Sequence, residues 1–378
     1  MQIDRTSFES PHASAAQRVC RHKQRCNHRT STIGCALALL TAVCIPLLAC
    51  GDPLGTGTPG AQSNVVFTEY DPLSSSAELV RRLLSPLNAL AVQQEARSKG
   101  QDLRTQAVDL AQEKFALYVP SHAPAQGFSL LVFISPWSDA RVPPQWTSTL
   151  ERHGTIFVSA ANSGNDANVL DRREPLALLA AVNVMRRYRV DAQQVFVGGF
   201  SGGSRVALRL ALGYPDVFRG ALLNSGSDPI GNAAIPLPPA ELFRQFQDSA
   251  RIVFVTGELD DLRLAEDVRS RKSMQELCVF DLATRTMPGR GHELADSTAL
   301  NHALTALLMP ASAEVNSSGA CRARTEANMT AQLKHVQELF ESGARDEGRG
   351  LLGKIDARYG GLAASRSIEL MGKYAQVH

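Results

Sequence analysis

Gly199-Phe200-Ser201-Gly202-Gly203 sets a serine between glycines at the spacing G-x-S-x-G. A serine hydroxyl becomes a useful nucleophile only when a base takes its proton, so the setting carries the meaning. Gln194–Gly198 runs into the motif as a short apolar strand, and Gly202–Leu212 leaves it rich in helix formers. A sharp strand-to-helix turn at this point strains the serine backbone and lifts its hydroxyl above the sheet. Larger side chains in place of the glycines would collide with the neighbouring strand and helix. The N-terminus of the following helix favours developing negative charge.

In that setting the chain resembles the α/β-hydrolase family, and within it the secreted esterase branch of polyhydroxybutyrate depolymerases and feruloyl esterases. The resemblance covers about residues 112–310. It implies a serine that attacks an ester carbonyl, a histidine that takes its proton and an acid that orients the histidine, in the chain order Ser, Asp or Glu, His. No cofactor belongs to that chemistry. Of the nine histidines three lie in the leader, His122 and His153 precede Ser201, and His335 and His378 lie far down the chain. His292 and His302 remain. His292 follows Pro288-Gly289-Arg290-Gly291 in a loop, whereas His302 sits mid-helix and reads as a surface residue, so His292 is the expected base. For the acid, the family carries a G-x-x-D loop after a strand. Asp260 of Gly257-Glu258-Leu259-Asp260-Asp261 matches it, with Asp261 the alternative and Glu258 a neighbour of the same chemistry.

The oxyanion hole departs from the family's usual His-Gly. Ser135-Pro136-Trp137 follows the strand ending at Ile134. Proline has no N–H, so the expected donors are the amides of Gly202 and Trp137. Trp137 reads equally well as a wall of the cleft and as a core or lid residue. His292-Glu293-Leu294-Ala295-Asp296 begins like a zincin motif but ends in Asp, and no metal site is expected. Asn162–Asp166, at the ligand-facing end of the sheet, reads first as a polar turn and second as a binding segment. Arg172 and Arg173 read first as partners in ion pairs at a helix start and second as contacts to an acidic substrate. Ile235–Pro239 is a rigid inserted loop, of the kind that shapes an acyl pocket.

The elements around these residues alternate. Strands are expected over 114–119, 129–134, 155–159, 194–198, 220–224, 251–256 and 277–281. Helices are expected over 76–98 (broken at Pro86), 174–188 with Asp171 as cap, 202–212 and 296–308. Strands alternating with helices imply an α/β fold, a mostly parallel sheet covered on both faces. Leu333, Val336, Leu339 and Phe340 share one helical face, Leu351, Leu352 and Ile355 another, and Ile368–Tyr374 begins a third. They form a small helical appendage that resembles a single tetratricopeptide-like helix pair.

The 378 residues include 39 basic and 37 acidic side chains, with hydrophobic residues at 44%. That is a globular composition with a sizeable core. The slight basicity sits in the leader, which holds six basic and two acidic side chains; removing it turns +2 into −2. No concentrated basic footprint remains for nucleic acid. The basic leader and the uncharged stretch 31–50 describe a secretory signal. Leu47-Leu48-Ala49-Cys50 resembles the lipobox of bacterial lipoproteins, which implies cleavage before Cys50, acylation of its thiol and a membrane anchor, with Gly51 fitting the outer membrane. The alternative is an ordinary cleaved signal. Four of the seven cysteines go with the leader, and no pair is spaced C-x-x-C. Cys278 and Cys321 are then a candidate disulfide in an oxidising compartment, or Cys278 is a buried apolar thiol. The expected organisation is a signal over 1–49, a flexible tether over 50–62, a helical lead-in over 63–111, the catalytic domain over 112–310 and the appendage over 311–378. The leading functional reading is an exported, anchored serine hydrolase acting on carboxylic esters. A peptidase on the same fold and a catalytically inactive cell-envelope interaction protein are the alternatives.

Overall fold

The computed structural model describes residues 58–310 and 318–374. The signal, Cys50 and His378 lie outside the described residues.

Eight strands form one sheet: β1 (Gly60–Val65), β2 (Phe115–Val119), β3 (Phe128–Ile134), β4 (Thr155–Ala160), β5 (Val190–Phe200), β6 (Gly220–Asn224), β7 (Arg251–Gly257) and β8 (Leu282–Met287). Their spatial order is β1-β2-β4-β3-β5-β6-β7-β8. β1 pairs antiparallel with β2, and β2 with β4; every later pairing is parallel. Parallel pairing needs crossovers, which put helices on both faces. The apolar runs split accordingly, because successive side chains point to opposite faces. In β3, Leu130, Val132 and Ile134 join one core cluster, while Leu131 and Phe133 join the other. β7 does the same, with Ile252 and Phe254 against Val253 and Val255.

The first cluster is completed by α1 (Ser76–Leu83), α4 (Glu174–Arg187), α5 (Gly202–Gly213) and α6 (Ala240–Ser249). The second is completed by α3 (Thr147–His153) and α8 (Ser297–Leu308), with Trp146 between them. With Ser201 at the turn between β5 and α5, this mostly parallel sheet covered by helices is the α/β-hydrolase fold.

Pro86 ends one helix and starts the next. α1 stops at Leu83, and α2 (Pro86–Ser98) takes the proline in its first turn, where a missing N–H costs nothing. The C-terminal helices are α9 (Ser318–Glu341), α10 (Arg345–Tyr359) and α11 (Ala364–Tyr374). They bury Leu333, Val336, Phe340, Leu352, Ile355 and Leu370 in a cluster of their own, against which Leu87 of α2 packs.

Several expectations change. β1 takes in Gly60–Gln62, which the Gly- and Pro-rich composition gave to the tether, so the sheet begins before residue 63. The lead-in is not wholly helical for the same reason. No strand forms over 277–281. Instead α7 (Asp261–Glu276) ends there, Leu277 and Val279 turn into the core, and Cys278 takes a positive φ of 63°. The strand is β8, five residues on, at the sheet edge, where one neighbour suffices and an apolar run is not required. Asp171 does not cap a helix; Asn168 does, accepting from the Asp171 amide at 2.8 Å. Ile235–Pro239 seats the appendage: Leu237 is buried and its carbonyl accepts from Gly361 N–H at 2.8 Å.

Candidate active site

Ser201 stands between β5 and α5 with φ 54° and ψ −119°, a backbone conformation that non-glycine residues rarely adopt. Two close approaches hold it there. A Cβ on Gly199 would lie 2.3 Å from the Gly203 carbonyl carbon, and one on Gly203 would lie 1.9 Å from the Ile134 oxygen. Neither position admits a side chain. The Ser201 N–H donates to the Asn224 carbonyl at 2.9 Å, fixing the turn to β6.

His292 Nε2 lies 3.0 Å from Ser201 Oγ, and its Nδ1 lies 2.7 Å from Asp260 Oδ2. The Asp260 side chain is only 9% exposed and the His292 side chain 40%. Asp261, one residue on, is exposed in the first turn of α7, and His302 is exposed on α8. The structure therefore brings Ser201, His292 and Asp260 together, and neither alternative joins them.

The loops carrying the acid and the histidine are bonded to each other. Leu259 N–H donates to the Arg290 carbonyl at 2.8 Å, and Glu258 accepts from Gly289 N–H at 2.8 Å. Two buried side chains hold the segment after His292. Asn224 Oδ1 accepts from Ala295 N–H at 2.7 Å, and its Nδ2 donates to the Glu293 and Val255 carbonyls at 3.3 and 3.0 Å. Trp146 Nε1 donates to the Ala295 carbonyl at 2.7 Å. Below, the buried carboxylate of Asp267 accepts from Ser227 and Thr256 hydroxyls, both at 2.6 Å, and burial raises its pKa. None of these supports stands out in the sequence except Asn224, a polar residue closing an apolar strand.

Among the described residues, the backbone N–H groups of Gly202 and Trp137 have no hydrogen-bond partner. They are free to meet an anion. Trp137 is half-buried, with its ring 6.1 Å from Phe200, whose ring lies 5.0 Å from His292. Arg141 stacks over Trp137 at 4.6 Å. The rings run from Trp137 through Phe200 to His292, and Trp137 joins neither core cluster. Arg172 pairs with Glu113 at 2.6 Å and also donates to the Asn162 carbonyl at 2.6 Å. Arg173 makes no ion pair at the helix start; it is buried and donates to the carbonyls of Ser163 and Ser135 at 2.8 and 3.1 Å. Asp296, in the segment resembling a zincin motif, caps α8 by accepting from Ala299 N–H at 2.8 Å.

Cys278 and Cys321 form a disulfide with Cα atoms 5.8 Å apart, tying α7 to α9. A cavity of about 240 Å³ lies between α6 and α9, lined by Phe243, Arg322 and Met329, and contains no residue of the serine site. Among the described residues no helix is long and apolar enough to cross a membrane.

No family model and no curated protein matches the chain. Solved structures do, remotely. One, described as a candidate dipeptidyl aminopeptidase IV from Bacteroides ovatus, shares 14% identity at a TM-score of 0.39; 51% of this chain is covered but only 33% of that one. An S-formylglutathione hydrolase from Staphylococcus aureus shares 11% identity at a TM-score of 0.42, over 52% of this chain and 93% of that one. A ferulic acid esterase shares 16% identity at a TM-score of 0.37, over 51% of this chain and 89% of that one.

Proposed function

We propose that this chain is a serine hydrolase that cleaves carboxylic esters through an acyl-enzyme. The observation that carries the reading is the hydrogen-bonded line from Asp260 through His292 to Ser201, at 2.7 and 3.0 Å, ending on a serine in strained backbone geometry. In this reading Ser201 Oγ attacks the ester carbonyl carbon while His292 Nε2 takes its proton. Asp260 holds the Nδ1–H tautomer and stabilises the imidazolium without accepting the proton. The carbonyl oxygen becomes an oxyanion facing the Gly202 and Trp137 N–H groups, each worth about 3 kcal/mol of barrier. His292 then gives its proton to the departing alkoxide. Water, deprotonated by the same ring, attacks the acyl-enzyme and releases the acid.

The test is turnover of p-nitrophenyl esters beside peptide p-nitroanilides. Ester turnover that disappears in Ser201→Ala is the expected result. Faster anilide turnover would favour the peptidase, and a folded protein that turns over neither would favour an inactive interaction protein.

The same reading makes the protein an envelope lipoprotein anchored through Cys50. Its support is the Leu47-Leu48-Ala49-Cys50 pattern after an uncharged stretch. Metabolic labelling with an alkyne fatty acid in a bacterial host should mark the wild type and not Cys50→Ala. Equal labelling of the two would remove the anchor.

A further inference from the structure

The second oxyanion donor depends on one peptide unit, Pro136–Trp137, and the structure contains a device that aims it. The loop after β3 and the loop after β4 lie side by side. Asn162 N–H donates to the Ser138 carbonyl at 2.6 Å and Asn165 N–H to the Pro136 carbonyl at 3.0 Å. A Cβ on Gly164 would lie 3.0 Å from the Trp137 carbonyl carbon, so the two backbones touch. The Pro136–Trp137 peptide is trans, and in a trans peptide C=O and N–H point in opposite directions. Holding the Pro136 carbonyl on Asn165 therefore turns the Trp137 N–H away from the β4 loop. On the neighbouring helix, the Asn165 amide lies against Gly202, where a Cβ would be 2.2 Å from its oxygen. The β4 loop thus touches both donors.

What fixes that loop is Arg173. Arg173 is 4% exposed, and its guanidinium reaches both loops at once, Nε to the Ser163 carbonyl and an Nη to the Ser135 carbonyl. The next residue after Ser135 is a proline, which cannot donate a hydrogen bond to hold the turn by itself. A planar fork sets two acceptors at a fixed separation, which a single ammonium cannot do.

We infer that Arg173 is a positioning residue that builds the oxyanion hole, aligning the Trp137 N–H by clamping the β3 and β4 loops together. The inference rests on the ester-hydrolase reading above.

The test uses Arg173→Lys and Arg173→Met in the full chain, with active sites counted by fluorophosphonate titration. Per site, kcat for p-nitrophenyl butyrate should fall by about 10²-fold in Arg173→Met, the size of losing one oxyanion donor. KM should stay within about threefold, since a donor that acts only in the transition state leaves ground-state binding alone. The Ki of a trifluoromethyl ketone, whose adduct carries the oxyanion, should rise with the same factor. Arg173→Lys should lie between. A role in folding alone would lower the melting temperature and the number of titratable sites but leave per-site kcat and Ki near wild type, and that result would overturn the inference. If Arg173→Met does not fold, Arg173→Lys decides by the same comparison. A wild type that neither turns over esters nor labels counts against the hydrolase reading itself; an active wild type with unaffected variants counts against Arg173 alone.

Discussion

Asp260 and Asp261 are adjacent carboxylates with different surroundings. Asp260 is nearly buried and meets His292, while Asp261 faces solvent at the start of α7. Asp260→Asn should lower kcat by about 10⁴-fold, because an amide stabilises the wrong imidazole tautomer. Asp261→Asn should stay within about threefold of wild type, as expected for an exposed group outside the reaction. Steady-state kinetics on a p-nitrophenyl ester checks both, and reversed effects would move the acid to Asp261. Ser201 was legible because its chemistry is written locally, in two glycines and their flanking elements. His292 was legible only through chain order, since five other histidines are also downstream of the leader. Glu258 and Arg173 were not legible as supports, and Asn224 showed only as a polar residue closing an apolar strand. Their partners are backbone groups 31 to 71 residues away or across a loop, and no local pattern marks such pairs.

At the level of elements, the ends of β5, β6 and β7 supply the site, and Asn224 ties two of them to the histidine loop. Asn224→Leu keeps the branching at Cγ but leaves the buried Ala295 N–H without an acceptor. An orphaned buried donor costs about 1–3 kcal/mol. Chemical denaturation should show that loss, and kcat should fall with it because His292 loses its support. Unchanged stability and kcat would leave the clamp without effect. Strands buried on both faces, such as β3 and β7, were readable as apolar runs. β8 was not, because an edge strand packed on one side tolerates Thr and Arg at intervening positions. α7 escaped for a related reason: its inward positions include Asp267, Ser270 and Ser273, which are paired with other polar groups rather than apolar.

The whole molecule is closed by ties between parts distant in sequence. The disulfide joins α7 to α9 across 43 residues. Replacing both Cys278 and Cys321 by Ala should cost about 2–4 kcal/mol in denaturant unfolding. The kcat per site should hold, because the bridge lies away from Ser201; an equal loss of per-site kcat would place the appendage in the mechanism. A second tie is ionic. Glu78 bonds Arg81 and Arg82, and Arg82 reaches Asp216 at 2.7 Å just beyond α5. The hydrogen bond from Arg81, with that from Arg82 behind it, holds the Glu78 pKa at about 2 against 4.5 unperturbed. A carboxylate depressed in the folded state adds stability above its unfolded pKa and loses it as pH falls through the folded value. Glu78→Gln should therefore flatten the fall in melting temperature between pH 4.5 and about 2 and leave the pH 7 to 8 slope unchanged. An identical acid profile in the variant would contradict the assignment. The pairing of α9 with α10 was legible from helical faces, but the seat that receives them was not, because the Pro-rich loop 235–239 reads the same in either role. The central claim, that Ser201 is the nucleophile of a working site, is tested most directly by intact-mass measurement after reaction with a fluorophosphonate. The account predicts one adduct per chain, mapped to Ser201 and absent from both Ser201→Ala and His292→Ala. No adduct on the folded wild type, or an adduct that persists in Ser201→Ala, would contradict it.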